Sequence, residues 1–106
     1  MSGGQLHSNL VPINDVNDEE VQRVGRFAVE AFNKGGGHRL IYKGVVNGLS
    51  CLVNAGRIKY FFIVIEAKNE DCIPWSYIAE VHACVSKHKM YNLLYFEDVL
   101  KDCSKH

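Results

Sequence analysis

The 106-residue sequence has no excess of charge of either sign, because 12 basic residues balance 12 acidic ones. It also has no long cluster of Lys and Arg. Proteins that bind nucleic acid or anionic membrane surfaces carry such a basic patch. We therefore expect neither nucleic acid nor a membrane as partner, and another protein is the better hypothesis.

Long apolar runs are also absent. No stretch reaches the roughly 20 apolar residues that a membrane-spanning helix requires, and the first five residues lack the apolar region of a signal peptide. We expect a soluble chain, although a signal peptide removed earlier would leave no trace, so the compartment stays open. The hydrophobic content of 47% favours a single folded domain with one core.

Motifs for metal binding, cofactor binding and catalysis are missing. No C-x-x-C pair supports a zinc or redox site, and the glycine run at 35–37 lacks the spacing of a phosphate-binding loop. The side chains with catalytic potential lie outside any recognisable nucleophile turn: Cys51, Cys84, His38, His82 and His88. His82 and Cys84 share a predicted strand face, which a solvated surface explains more simply than an active site. We expect no enzyme and no cofactor.

The cysteines alone leave the redox state open. There are four, namely Cys51, Cys72, Cys84 and Cys103. An even number suits two disulfides in an oxidising compartment, but small buried thiols are equally ordinary in the cytosol.

One helix is predicted between two clear signals. Asn17 and Asp18 supply N-cap side chains ahead of acidic residues, and the glycines at 35–37 end the helix because they favour a left-handed cap. The apolar residues between these signals recur at helical spacing and predict the core face: Val21, Val24, Ala28, Ala31 and Phe32, with Phe27 beside them.

Beyond the helix, apolar residues alternate with a period of two. This pattern predicts strands over 39–53, 58–67, 77–86 and 91–99. The inward faces of the second and third of these strands are Phe61, Ile63, Ile65 and Ala67, and Tyr77, Ala79, Val81, Ala83 and Val85. One helix followed by consecutive strands is an α+β order, in which the helix covers an antiparallel sheet. Trp75 is either an exposed binding aromatic or a plug over one end of the core.

Residues 1–11 have weak periodicity and predict a flexible N-terminal arm ahead of a domain at 12–106. Several segments then follow in order along the domain: Pro12-Ile13, Val24-Gly25-Arg26-Phe27-Ala28-Val29-Glu30-Ala31-Phe32-Asn33, Val45-Val46, Ala55-Gly56, Tyr77-x-Ala79-x-Val81 and Leu94-x-Phe96. In this order they resemble the plant cystatin family, whose members inhibit cysteine proteases. The resemblance implies a cystatin-like monomer, in which one long helix packs on a curved antiparallel sheet of four to five strands.

The resemblance also implies a binding surface. In cystatins the N-terminal arm and two hairpins form a wedge that blocks the cleft of a papain-like protease reversibly, without chemistry. Projected onto this sequence, the wedge comprises Ser8, Asn9, Leu10 and Val11 of the arm, Cys51, Leu52, Val53, Asn54, Ala55 and Gly56 of the first hairpin, and Val85, Ser86, Lys87, His88 and Lys89 of the second. The same topology favours Cys72 to Cys103 as the bridge, if a disulfide forms.

The three wedge segments depart from the cystatin pattern. The Gly-Gly pair of the arm is replaced by Ser8-Asn9, the Gln-x-Val-x-Gly hairpin reads Cys51-Leu52-Val53-Asn54-Ala55-Gly56, and the Pro-Trp tip is replaced by the polar, basic segment at 85–89. A similar branch, known from squash, inhibits pepsin-like aspartic proteases, and a basic tip would suit their acidic cleft. Inhibition of a papain-like cysteine protease is the first expectation, with the aspartic class and a non-inhibitory binding module as alternatives.

Overall fold

The chain forms one helix packed against a five-stranded antiparallel sheet, and the strands lie in sequence order. The computed structural model describes residues 10–85 and 90–99. The elements are β1 (Val11–Pro12), α1 (Glu19–Gly36), β2 (Ile41–Val53), β3 (Ile58–Lys68), β4 (Pro74–Cys84) and β5 (Tyr91–Asp98). This architecture confirms the predicted α+β, cystatin-like fold. No helix in the described ranges is both long enough and apolar enough to cross a membrane.

Helix α1 has the ends that its sequence predicts. The Asp18 side chain accepts a hydrogen bond from the backbone N–H of Glu20 at 3.0 Å, which satisfies one of the first free donors of the helix. At the other end, Gly37 adopts a left-handed conformation with φ of 69°, and its N–H donates to the carbonyl of Asn33. The helix therefore runs through the first two glycines of the run and stops at the third.

The core face of α1 differs in part from the predicted one. The buried residues are Val21, Val24, Gly25, Ala28 and Val29, whereas Ala31, Phe32 and Phe27 are only half-buried. These buried positions follow the i, i+3, i+4, i+7, i+8 spacing of one helical stripe. Gly25 belongs to that stripe because the helix approaches β2 closely there. A Cβ atom at Gly25 would lie only 2.5 Å from Cγ2 of Val45.

The inward face of the sheet agrees with the alternation of the sequence. Phe61, Ile63, Ile65 and Ala67 of β3 are fully buried, and the inward residues of β4 from Tyr77 to Ala83 are buried as well. Val85 was expected to continue this face, but that prediction was wrong: β4 ends at Cys84, and Val85 is half exposed.

Three irregularities interrupt the regular pairing of the sheet. Two lie in β2, between Tyr42 and Gly44 and between Val45 and Asn47, where it pairs with β3. The third lies where β4 pairs with β5, between Glu80 and Val81. An extra residue in one strand bends that strand and increases its twist.

Candidate functional site

The N-terminal segment and two strand connections meet at one end of the sheet, which we call the hairpin end. Val11 pairs with Ser50 in antiparallel register, near the end of β2 that leads into the turn at residues 54–57 between β2 and β3. Ile58 pairs with Cys84, and Val85, which follows β4, lies beside the same turn. The topology thus places together the described parts of the three segments that the resemblance singled out.

The first hairpin turns through three consecutive residues with positive φ. Asn54, Ala55 and Gly56 have φ values of 54°, 56° and 81°. The N–H of Gly56 donates to the carbonyl of Val53, and the N–H of Arg57 donates to the carbonyl of Asn54, both at 3.1 Å. Asn and Gly accept this left-handed backbone readily, whereas Ala55 adopts it at a conformational cost. The turn is therefore held by its backbone bonds.

A backbone hydrogen bond joins the two hairpins. The N–H of Val85 donates to the carbonyl of Arg57 at 2.9 Å, one step beyond the last paired residues of β3 and β4. The N–H of Cys84 donates to the carbonyl of Met90 at 3.0 Å and closes the second hairpin. The ends of both hairpins therefore have a fixed relative position.

Four of the exposed apolar side chains lie at the hairpin end. Val11, Leu52, Val85 and Met90 are 57%, 55%, 50% and 68% exposed. Of the other predicted wedge residues, Asn54 and Ala55 are exposed, while Leu10, Val53 and Gly56 are half-buried. Ser8, Asn9, Ser86, Lys87, His88 and Lys89 lie outside the described residues. Arg57 and Met90, which border the two predicted hairpin segments, are also exposed.

Cys51 differs from its neighbours in the first hairpin because its side chain is buried, with 8% exposed. It pairs with Tyr60, and Tyr60 pairs with His82, so the three residues lie in one row on the sheet face opposite the helix. Burial, followed by a hydrogen bond with Glu80, raises the pKa of Tyr60 to about 12. Cys51 therefore contributes little exposed surface to the first hairpin.

The arrangement of His82 and Cys84 resembles no catalytic pair. The His82 ring packs edge-on against Tyr60, with ring centres 5.7 Å apart, and Cys84 is exposed beside Ile58 at the end of β4. Cys51, Cys72 and Cys84 are free thiols in the structure. Because Cys103 lies outside the described residues, its bridge to Cys72 stays a prediction. Within residues 10–85 and 90–99, no group of three or more acidic, His or Cys side chains could hold a metal ion.

The opposite end of the sheet, which we call the turn end, is closed by side chains. The Phe32 ring stacks between His38 and Phe96, with ring centres 4.3 and 4.2 Å apart. Trp75 is half-buried, and its Nε1 donates to Oδ1 of Asp98 at 2.6 Å. Of the two alternatives for Trp75, this contact favours the plug over one end of the core.

Comparison with known families identifies one match. Residues 13–99 match the family model SQAPI, described as aspartic acid proteinase inhibitor. The matched region includes α1, both hairpins and the bond between them. No curated protein matches the chain. The family match supports the aspartic alternative of the sequence analysis, whereas the cysteine-protease expectation receives no support from it.

Proposed function

The chain belongs to the aspartic acid proteinase inhibitor family, and from this we propose that it inhibits a pepsin-like aspartic protease by placing the hairpin end in the active-site cleft. The family match over residues 13–99 carries this proposal, because it includes most of the chain and both hairpins. Inhibition is reversible and competitive, and no covalent step on this chain is needed.

The geometry of the hairpin end supports such a role through preorganisation. Both hairpins keep their relative position through the Val85–Arg57 hydrogen bond, so little conformational entropy is lost when they bind. Leu52, Val85 and Met90 offer apolar surface that a cleft would remove from water. The binding surface is thus preformed in the free inhibitor.

Charge in the sequence of the second hairpin also favours the aspartic class. Lys87 and Lys89 give its tip a basic character. Opposite charges across an interface mainly accelerate association and select the partner, rather than supplying most of the affinity. We therefore assign the apolar side chains to affinity and the basic tip to the choice of an acidic cleft.

The proposal is tested by titrating the protein against pepsin and papain in parallel. Leu52→Ser, Val85→Ser and Met90→Ser are compared with Ile41→Ser and Ile73→Ser, matched controls that are 57% and 46% exposed at the turn end. We expect pepsin to be inhibited, the three hairpin variants to weaken inhibition by about tenfold or more as hot-spot residues do, and the controls to match the wild type. A variant truncated before Pro12 measures what the arm adds.

Two results would contradict the proposal. Inhibition of papain without inhibition of pepsin would show that the chain inhibits cysteine proteases instead. No inhibition of either enzyme at micromolar concentration would leave only the non-inhibitory binding module. Thermal unfolding of each variant checks that lost inhibition does not come from lost folding.

A further inference from the structure

We infer that Arg57 is a specificity-determining residue of the hairpin end, where its guanidinium group binds a carboxylate in the cleft of the protease. This inference rests on the proposed function, and it gives a role to a residue to which the family match assigns none. It is built from the backbone position, the exposure and the charge of Arg57.

The backbone of Arg57 is fixed at both of its polar atoms. Its N–H donates to the carbonyl of Asn54 at 3.1 Å, and its carbonyl accepts from the N–H of Val85 at 2.9 Å. The first bond belongs to the first hairpin, and the second connects that hairpin to the next. The position of the Arg57 backbone is therefore set relative to both hairpins, which fixes the point from which its side chain extends.

The Arg57 side chain is exposed, and no carboxylate among residues 10–85 and 90–99 forms an ion pair with it. Three other cations in the described residues do have internal contacts. Arg23 pairs with Glu19 at 3.2 Å, Lys59 pairs with Glu20 at 3.5 Å, and the guanidinium of Arg26 lies over the ring of Tyr42. Arg57 can therefore offer its guanidinium to another molecule without breaking an ion pair of this kind.

The surroundings of Arg57 match those of a binding hot spot in a protein–protein interface. Half-exposed Leu52 and Val85 lie at the same end of the sheet and can exclude water once they are covered. Arginine is enriched at hot spots, and its planar guanidinium group binds a carboxylate through two parallel hydrogen bonds. Lysine cannot reproduce this geometry.

A protease of the proposed class supplies the matching group. Aspartic proteases have two catalytic carboxyl groups that share one proton, so the pair keeps a negative charge in the acidic range where these enzymes work. A guanidinium group on a rigid hairpin suits such a charge. The expected ligand of Arg57 is therefore an aspartate or glutamate side chain of the cleft.

The experiment compares R57Q, R57K and R57E with the wild type in pepsin inhibition at low and high salt. R39Q is the matched control, because Arg39 is also exposed but lies near the turn end. We expect R57Q to weaken inhibition by about tenfold or more, as loss of a charge-assisted bidentate pair does. R57K should recover part of the loss, R57E should be weaker than R57Q at low salt, and R39Q should match the wild type.

The outcomes separate this inference from the proposed function. If the wild type inhibits pepsin and R57Q inhibits equally well, the role of Arg57 is overturned while the proposed function stands. If R57Q and R57E are equally weak at every salt concentration, Arg57 acts through packing, and the carboxylate partner is overturned. If the wild type does not inhibit pepsin, both proposals fail. Circular dichroism and thermal unfolding confirm that each variant is folded.

Discussion

The two ends of the sheet are built in different ways. At the turn end, side chains hold the structure, through the stack of Phe32 between His38 and Phe96 and the hydrogen bond from Trp75 to Asp98. At the hairpin end, backbone hydrogen bonds join the two hairpins to each other, and Val11, Leu52, Val85 and Met90 are exposed beside them. The difference separates residues that stabilise the fold from residues that are available to a partner.

This separation has a practical meaning for mutagenesis. A side chain at the hairpin end can change without loss of folding, because the backbone bonds that fix the turn remain. If the hairpin end is the binding surface, we expect a side chain at the turn end to change without loss of binding. Stability and inhibition should therefore respond to different sets of substitutions.

The largest effect is expected in the core that both ends share. Phe61→Ala removes a fully buried ring and should lower the free energy of unfolding by about 3 to 5 kcal/mol. Phe27→Ala should cost less, because Phe27 is half-buried against Tyr91, with ring centres 5.4 Å apart. Urea denaturation measures both variants. Equal losses of unfolding free energy in the two variants would show that Phe27 is more deeply buried between helix and sheet than the structure has it.

A smaller loss is expected from Gly25→Ala. The added methyl group would lie 2.5 Å from Cγ2 of Val45 and 3.0 Å from the Tyr42 ring, so the helix must move away from β2. Overpacking of this kind costs about 1 to 3 kcal/mol. Gly35→Ala is the control, since a Cβ atom there meets no atom within 4 Å. Thermal unfolding that ranks both variants equally would contradict the close helix–sheet approach.

At the turn end, Trp75→Phe tests the comparison directly. A smaller aromatic ring replaces the indole and the hydrogen bond to Asp98 is lost, so we expect a decrease of about 1 to 2 kcal/mol in the free energy of unfolding. Inhibition of pepsin, measured below the melting temperature, should stay at the wild-type level. Weaker inhibition by a folded Trp75→Phe variant would show that the turn end also takes part in binding.

The smallest effect concerns alkaline pH. The pKa of Tyr60 is raised to about 12 in the folded chain, first by burial and then by the hydrogen bond with Glu80. Between the ordinary pKa of tyrosine, about 10, and this value, the unfolded chain loses the proton while the folded chain keeps it. Stability from Tyr60 is therefore complete below about pH 10 and lost as the pH rises toward 12.

Absorbance of tyrosinate and the melting temperature, followed between pH 9 and pH 12, check this expectation. Burial also raises the pKa values of Tyr42 and Tyr77, so these residues add to the decline in the wild type. In Tyr60→Phe the decline should be less steep. An unchanged slope in that variant would show that Tyr60 titrates like a residue in water.

The sequence could predict elements whose burial follows a regular period. Phe61, Ile63 and Ile65 alternate with more exposed residues, and all three are fully buried. Val29 was missed because the stripe that a helix buries depends on how it crosses the sheet, which its own sequence does not specify. Val85 was misplaced because the alternation continues beyond the point where β4 ends.

For the hairpin end, the sequence could predict which segments take part but not the contacts between them. Its central feature is the bond between Arg57 and Val85, which are far apart in sequence and meet through strand pairing. No pattern in the sequence around either residue predicts a hydrogen bond of this kind. The departures of the hairpins from the cystatin pattern also left the protease class open, and the family match over residues 13–99 now favours the aspartic class.

The irregular pairing of β2 has a consequence for how copies of the chain meet. β1 pairs with β2 only at Ser50 and Leu49 in the described residues, so the edge of β2 over residues 41–47 has no strand beside it there. Such an edge can template the addition of further chains and lead to aggregation. Both irregularities of β2 lie in this stretch, together with the exposed Lys43. A bent, charged edge is a poor template, so it should protect the chain from fibril growth at high concentration.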